Sequence, residues 1–304
     1  MTVVSLFPSA TEVVAALGGT PAAVSHQCDH PPAVEDRPTL TGLVRDLDSP
    51  PATVDRIVAH DDVYYLDGTV LADADPDVVL TQGVCAVCAL DAGLAHDAVE
   101  RLGLDATVLD VHADDLGDVL ANVDRIGAAI GRPAAADDLR AELEDRIDAV
   151  DRSVSTATGS EGSRPRVAVF DWTDPLRHGG LWVPELIALA GGEVGLADPG
   201  ERSGRVDPSD LLAFDPEVVV VAPCGYDVDA AERAAADLAG REWFGELAAA
   251  RDDRVYAMDG AAYLNRHSHR VVDTLEALAA VIRPDRFGVA TDRDRVRRVA
   301  TPTD

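Results

Sequence analysis

The chain has 304 residues, with 26 basic and 55 acidic side chains, a formal net charge of −29 and 47% hydrophobic residues. Those proportions describe a folded, soluble protein with ample material for a core, in two α/β units or one large one, and they exclude a disulfide-stapled miniature. All 26 basic residues are arginine, and apart from the short tail Arg293, Arg295, Arg297 and Arg298 no basic stripe exists that could displace counterions from a nucleic acid, so no such partner is expected. Dispersed aspartate on a lysine-free surface suits a halophilic setting, where molar salt cuts the Debye length to about 3 Å and screens self-repulsion.

In chain order, a β-branched run over 3–7 predicts a strand, followed by Ser9-Ala-Thr-Glu12. That tetrad reads as a capping box with Ser9 as N-cap, opening a helix that stops at Gly18-Gly19. A second strand over 22–25 ends at His26-Gln-Cys28-Asp29, and a third over 78–81 ends at Gln82-Gly-Val-Cys85-Ala-Val-Cys88. A helix over 95–102 and a strand over 107–111 follow. Helical periodicity runs from Asp114 to Ile130, breaks at Gly131-Arg-Pro133 and resumes to about Val150, with Leu139, Leu143, Ile147 and Val150 on one face. At 1.5 Å per residue the resumed helix spans roughly 25 Å and can act as a strut. The second half repeats the theme: strand 167–170, helix 183–190, strand 218–221 ending at Ala222-Pro-Cys224, strand 254–258 and helix 270–282.

This alternation implies parallel pairing with helical crossovers. The expected fold is α/β, two Rossmann-like lobes with parallel sheets joined by one long backbone helix. The boundaries are an N-terminal lobe over 1–113, a helical connection over 114–152, a flexible loop over 153–164, a C-terminal lobe over 165–288 and a polar tail without a fold over 289–304. The N-terminus lacks a signal-like charge and apolar pattern, and no run reaches the roughly 18 apolar residues of a membrane span. Cytoplasmic residence, no membrane insertion and reduced thiols are therefore expected.

All four cysteines fall at carboxyl ends of predicted strands, where open α/β sheets gather ligands. Cys28, Cys85, Cys88 and Cys224, with His26, would supply soft ligands for zinc or an iron–sulfur cluster in a metalloprotein or thiol enzyme; buried packing is the plainer alternative. Cys85-x-x-Cys88 between a strand and a helix also fits a thioredoxin-type pair, but lacks its flanking Trp and Pro. Trp172 and Trp182 read as turn residues beside Pro and Gly, suited to an aromatic wall for a flat ligand. Tyr263, Arg266, His267 and His269 precede the last helix, and the two histidines in an extended segment would point the same way. The common dinucleotide, NTP, hydrolase and zincin signatures are missing, so no enzyme is expected.

The segments Val4-Ser-Leu-Phe-Pro-Ser-Ala-Thr-Glu-Val-Val, Val24-Ser-His, Asp29-His-Pro-Pro, Asp75-Pro-Asp-Val-Val-Leu, Arg166-Val-Ala-Val-Phe and Asp215-Pro-Glu-Val-Val-Val-Val come in the order and spacing of a known family. The chain resembles the cobalamin and iron-siderophore periplasmic binding proteins over about residues 2–288, in particular a cytosolic side branch with His-x-Cys-Asp, Cys-x-x-Cys and Pro-Cys-Gly. The resemblance implies cobalamin, another corrinoid or a related metal chelate as ligand, held in a cleft between lobes. The matching positions are Ser9, His26, Gln82, Trp172, Trp182, Tyr226 and Tyr263, with Arg266 beside them. Family members that serve transporters carry an exposed glutamate on each lobe that meets permease arginines. The corresponding positions hold Thr69 and Gly180, so docking onto a permease is not expected.

Overall fold

The computed structural model describes residues 1–54, 56–61, 63–83, 90, 92–155, 164–288 and 292–301. Two compact units emerge, residues 1–113 with 118–142 and residues 114–117 with 143–304. The first runs through β1 (Val3–Ser5), α1 (Pro8–Ala16), β2 (Ala23–Val24), β3 (Thr41–Leu43), β4 (Ile57–His60), β5 (Tyr64–Asp67), α2 (Gly68–Ala74), β6 (Val78–Thr81), α3 (Ala92–Leu102), β7 (Thr107–Asp110), most of α4 (Leu116–Ala129) and the start of α5 (Pro133–Ser155). Every residue of β1 and β6 is buried, as expected of parallel strands covered on both faces. They form the middle of a parallel sheet in the order β2-β1-β6-β7.

Helix α1 departs from the expected capping box. Phe7 is its N-cap with no side-chain cap, Pro8 opens it, and Ser9 lies buried within the first turn. Proline presets the helical φ and has no N–H to satisfy, so it starts the helix two positions early. A second departure is the antiparallel sheet β3-β5-β4. These strands are too short to show alternation, and turn residues separate them.

The second unit contains β8 (Val167–Thr173), β9 (Leu176–His178), α6 (Val183–Leu189), α7 (Pro208–Phe214), β10 (Val218–Val221), α8 (Val228–Ala239), α9 (Ala248–Arg251), β11 (Val255–Met258), α10 (Val271–Ile282), α11 (Pro284–Phe287) and β12 (Val296–Arg298). The sheet order is β12-β11-β10-β8-β9, with the inner three strands parallel and both edges antiparallel. Its core gathers Phe170, Val219, Val221, Leu238, Phe244 and Leu247, all fully buried. The tail is thus not without a fold, since residues 296–298 add a strand to β11. Trp172 lies in strand β8 rather than in a turn, because the strand continues to Thr173 and hairpins into β9.

Both units stop the helix before a central strand in the same manner. Asp75 ends α2 and Asp215 ends α7 in the left-handed region, and a proline follows each. Aspartate tolerates that conformation better than most residues, and proline cannot continue a helix. The unit division falls inside α5, between Glu142 and Leu143. Before it, Arg140 pairs with Asp124 of α4. After it, Arg146 makes a two-pronged contact with Glu276 of α10, Nε to Oε1 at 2.9 Å and Nη2 to Oε2 at 2.8 Å, and Nη2 reaches Asp273 at 2.6 Å. Among the described residues no helix is long and apolar enough to cross a membrane.

Val296 and Val299 are each 3% exposed, and full burial of a valine contributes about 1.5–3 kcal/mol. A chain ending after Gly288 is expected to melt roughly 5–10 °C lower than the full chain in differential scanning calorimetry. An unchanged midpoint would show that β12 adds nothing to the sheet.

Candidate functional site

Parallel pairing in the first unit brings the ends of β1, β2, β6 and β7 to one edge. The turn after β2 carries the most developed polar arrangement there. Ser25 is buried and His26 exposed. The His26 ring Nδ1 lies 2.8 Å from the Thr41 hydroxyl, and the Thr41 hydroxyl donates to Ser25 Oγ at 3.0 Å. Gln27 Nε2 donates to the Tyr64 hydroxyl at 3.0 Å, and the Tyr64 ring sits 5.6 Å from that of His26. Lost hydration lowers the His26 pKa, with the Asp46 carboxylate opposing, so the neutral imidazole is favoured.

Cys28 faces inward. Its Sγ is 3.1 Å from the Thr11 hydroxyl and it clusters with Val24 and Val34. Gln82 is buried at the end of β6 and Ser9 inside α1. Cys85 and Cys88 lie outside the described residues. Among the described residues no group of three His, Cys, Asp or Glu side chains is placed to hold a metal ion.

In the second unit, the ends of β8, β10 and β11 share an edge. The turn after β10 is held by backbone contacts. The Cys224 N–H donates to the Asp171 carbonyl at 3.0 Å, and the Tyr226 carbonyl accepts from the Gly260 and Ala261 N–H groups, each at 3.0 Å. Gly225 takes φ +77, and a Cβ at Gly260 would lie 2.2 Å from the Pro223 carbonyl oxygen, so the close approach requires glycine at 260. This turn presents Tyr226, 36% exposed, edge-on to Trp172 with ring centroids 5.6 Å apart and planes at 69°. The Trp172 indole N–H donates to the Asp174 carbonyl at 2.8 Å, which fixes the ring. The pair forms an aromatic ledge, with the half-buried Cys224 two residues before Tyr226.

The remaining expected residues stand behind that edge. Trp182 is 4% exposed, its indole N–H donates to the Leu264 carbonyl at 3.1 Å, and its ring rests against His267. Arg266 and His267 are buried and His269 is half-buried in a turn, so the two histidines are not an extended, outward-facing pair. Tyr263, in a π-helical turn over Gly260–Leu264, has the Arg270 and Arg295 guanidinium carbons 4.4 and 4.6 Å from its ring centre. Asp259 caps this turn, its Oδ1 accepting from the Ala262 N–H at 2.7 Å, and burial raises its pKa. At Gly180 a Cβ would lie 2.3 Å from the Ser203 nitrogen and 2.5 Å from the Glu201 carbonyl oxygen, so a docking glutamate has no room there. Thr69 is exposed in the first turn of α2, its N–H donating to Asp67 at 3.0 Å.

Two groups at these edges escaped the sequence reading. Thr41 comes from β3, fifteen residues after His26. Asp171 directly follows the buried part of β8, and lost hydration pushes its pKa to about 6 despite a 2.9 Å hydrogen bond from Ser203 and the charge of Arg177. The cost of its charge is absent below the unfolded value near 3.8, grows between 3.8 and 6, and is complete above 6. Asp171→Asn is therefore expected to be more stable than the parent above pH 6, by up to about 3 kcal/mol, and no more stable near pH 3.5. Urea denaturation across that window checks the sign; a gain that does not grow with pH refutes the assignment.

A search of curated protein sequences returned no significant match. Among solved structures, the chain is similar to a periplasmic heme-binding protein from Pseudomonas aeruginosa, with TM-score 0.74, 21% identity, and 100% of this chain and 99% of that one covered. It is also similar to the periplasmic vitamin B12-binding protein BtuF of Vibrio cholerae, with TM-score 0.66, 20% identity, and 93% and 96% coverage. A third, the heme-binding protein BhuT solved with two hemes, gives TM-score 0.68, 19% identity, and 94% and 98% coverage. At these identities the likeness shows the α/β fold. Residues 3–262 match the family model described as periplasmic binding protein. That match spans most of the sequence, so the chain belongs to the periplasmic binding protein family, whose members bind substrates for transport and are not enzymes.

Proposed function

We propose that the protein binds a flat metal chelate, a corrinoid or a heme, without transforming it. The observation that carries this reading is the ledge of Trp172 and Tyr226, held by main-chain bonds at a strand-end edge. Aromatic faces in a fixed geometry offer contact area to a planar macrocycle at small entropic cost, and strand ends are where α/β sheets take ligands. The heme and vitamin B12 binders among its structural neighbours support the same substrate class. Members of the family work with ABC transporter permeases. With threonine at 69 and glycine at 180, we propose that this chain handles its chelate without glutamate contacts at those two points.

Titration with hemin and with hydroxocobalamin, followed by visible absorbance and by quenching of tryptophan emission, tests the proposal. At least one probe is expected to bind with one-to-one stoichiometry. Trp172→Ala and Tyr226→Ala are each expected to weaken that binding by on the order of 10-fold, the upper end for one aromatic contact, with the thermal midpoint little changed. Absence of any spectral change with both probes overturns the reading.

A further inference from the structure

The hydrogen bonds around His26 fix which of its ring nitrogens carries the proton. Thr41 Oγ1 has one hydrogen, and it is donated to Ser25 Oγ at 3.0 Å. The same oxygen accepts the His26 backbone N–H at 3.3 Å and lies 2.8 Å from the ring Nδ1. With its hydrogen already donated, Thr41 can only accept from the ring, so Nδ1 bears the proton. Ser25 and Thr41 are each 4% exposed, which keeps water from competing with this chain. Ser25 Oγ is held in turn by the Gln27 N–H at 3.3 Å. In the neutral ring Nε2 then keeps its lone pair. It makes no hydrogen bond among the described residues, although His26 is exposed at the strand-end edge.

An imidazole whose Nδ1–H is held by a buried acceptor and whose Nε2 is open has the form of a metal ligand with its orienting partner in place. We infer that Nε2 of His26, at the strand-end edge of the first unit, is an axial ligand to the metal of a chelate, with Thr41 as the residue that positions it. This rests on the chelate reading above and narrows it to macrocycles whose metal has an exchangeable axial site. In the binding step the Nε2 lone pair forms a bond to the iron or cobalt, and the water or hydroxide at that position leaves. No electron transfer is involved. The inward-facing thiol of Cys28 is not part of this site; its Sγ lies 3.1 Å from the Thr11 hydroxyl.

Two measurements separate this inference from the chelate reading. The first needs no chelate: long-range 15N–1H correlation of the imidazole in the unliganded protein, assigned by loss of the signal in His26→Ala, is expected to show the proton on Nδ1 in the parent. Thr41→Val is expected to give a mixture of both tautomers. A proton found on Nε2 in the parent overturns the inference whatever the protein binds. The second compares absorbance spectra of the hemin and hydroxocobalamin complexes. The parent is expected to show nitrogen ligation, and His26→Ala to lose it with a 10- to 100-fold weaker affinity, restored in the spectrum by added free imidazole. Thr41→Val is expected to retain ligation with affinity lowered about 10-fold. Parent and His26→Ala complexes with the same spectrum and affinity refute axial ligation while leaving chelate binding intact. A parent that binds neither probe removes both readings.

Discussion

Parallel strand pairing is the constraint on which the rest of the molecule depends. It requires a helical crossover between neighbours, buries both faces of the central strands and delivers their carboxyl ends to one edge of each sheet. In β1, β6 and β10 every residue is buried, so these strands have no freedom to present chemistry along their length. Chemistry sits at their carboxyl ends instead: the first unit carries His26 and Gln82 there, and the second carries Cys224 and Tyr226 in the turn after β10, beside Trp172 near the end of β8.

The two edges solve the problem of positioning side chains by different means. In the first unit a side-chain relay from Ser25 through Thr41 sets the His26 ring. In the second unit the main chain does most of the work, through the contacts of Cys224 with Asp171 and of Tyr226 with Gly260 and Ala261. Behind the second edge, the segment from Tyr263 to Arg270 forms a support of stacked cations and buried polar groups. Asp171 connects these roles. Its carbonyl anchors the turn that presents Tyr226, while its buried carboxyl meets Ser203.

Much of the architecture was legible in the sequence, because β-branched runs ending in polar turns and followed by amphipathic stretches admit few arrangements. The strands at 78–81, 218–221 and the helix after 270 stand where their patterns place them, within a residue or two. Local chemistry misled where two signals competed. The Ser9 to Glu12 spacing suggests an N-cap, but Pro8 opens the helix ahead of it. Residues 296–298 carry two arginines and look like tail, yet they complete an edge by main-chain pairing that side-chain character does not reveal. At the candidate site, strand-end position drew attention to His26 and Trp172, and the family resemblance to Tyr226. It could not distinguish the surface ledge from Trp182, whose indole is satisfied internally, because that depends on a carbonyl 82 residues away. Thr41 was invisible for the same reason: its role arises from a separate antiparallel sheet laid against the β2 turn.

The grip of Arg146 on Asp273 and Glu276 follows from a chain with no lysine. Guanidinium keeps its proton throughout the range in which proteins stay folded, and the paired carboxylates push the Arg146 pKa higher still. Nor does any side chain offer an ε-amine to acetyl or other acyl donors, so the chemistry that most often erases positive charge on proteins has no foothold on this side-chain surface. The fastening of α5 to α10 therefore has a fixed cationic half, and only its acidic half can be neutralised by protons.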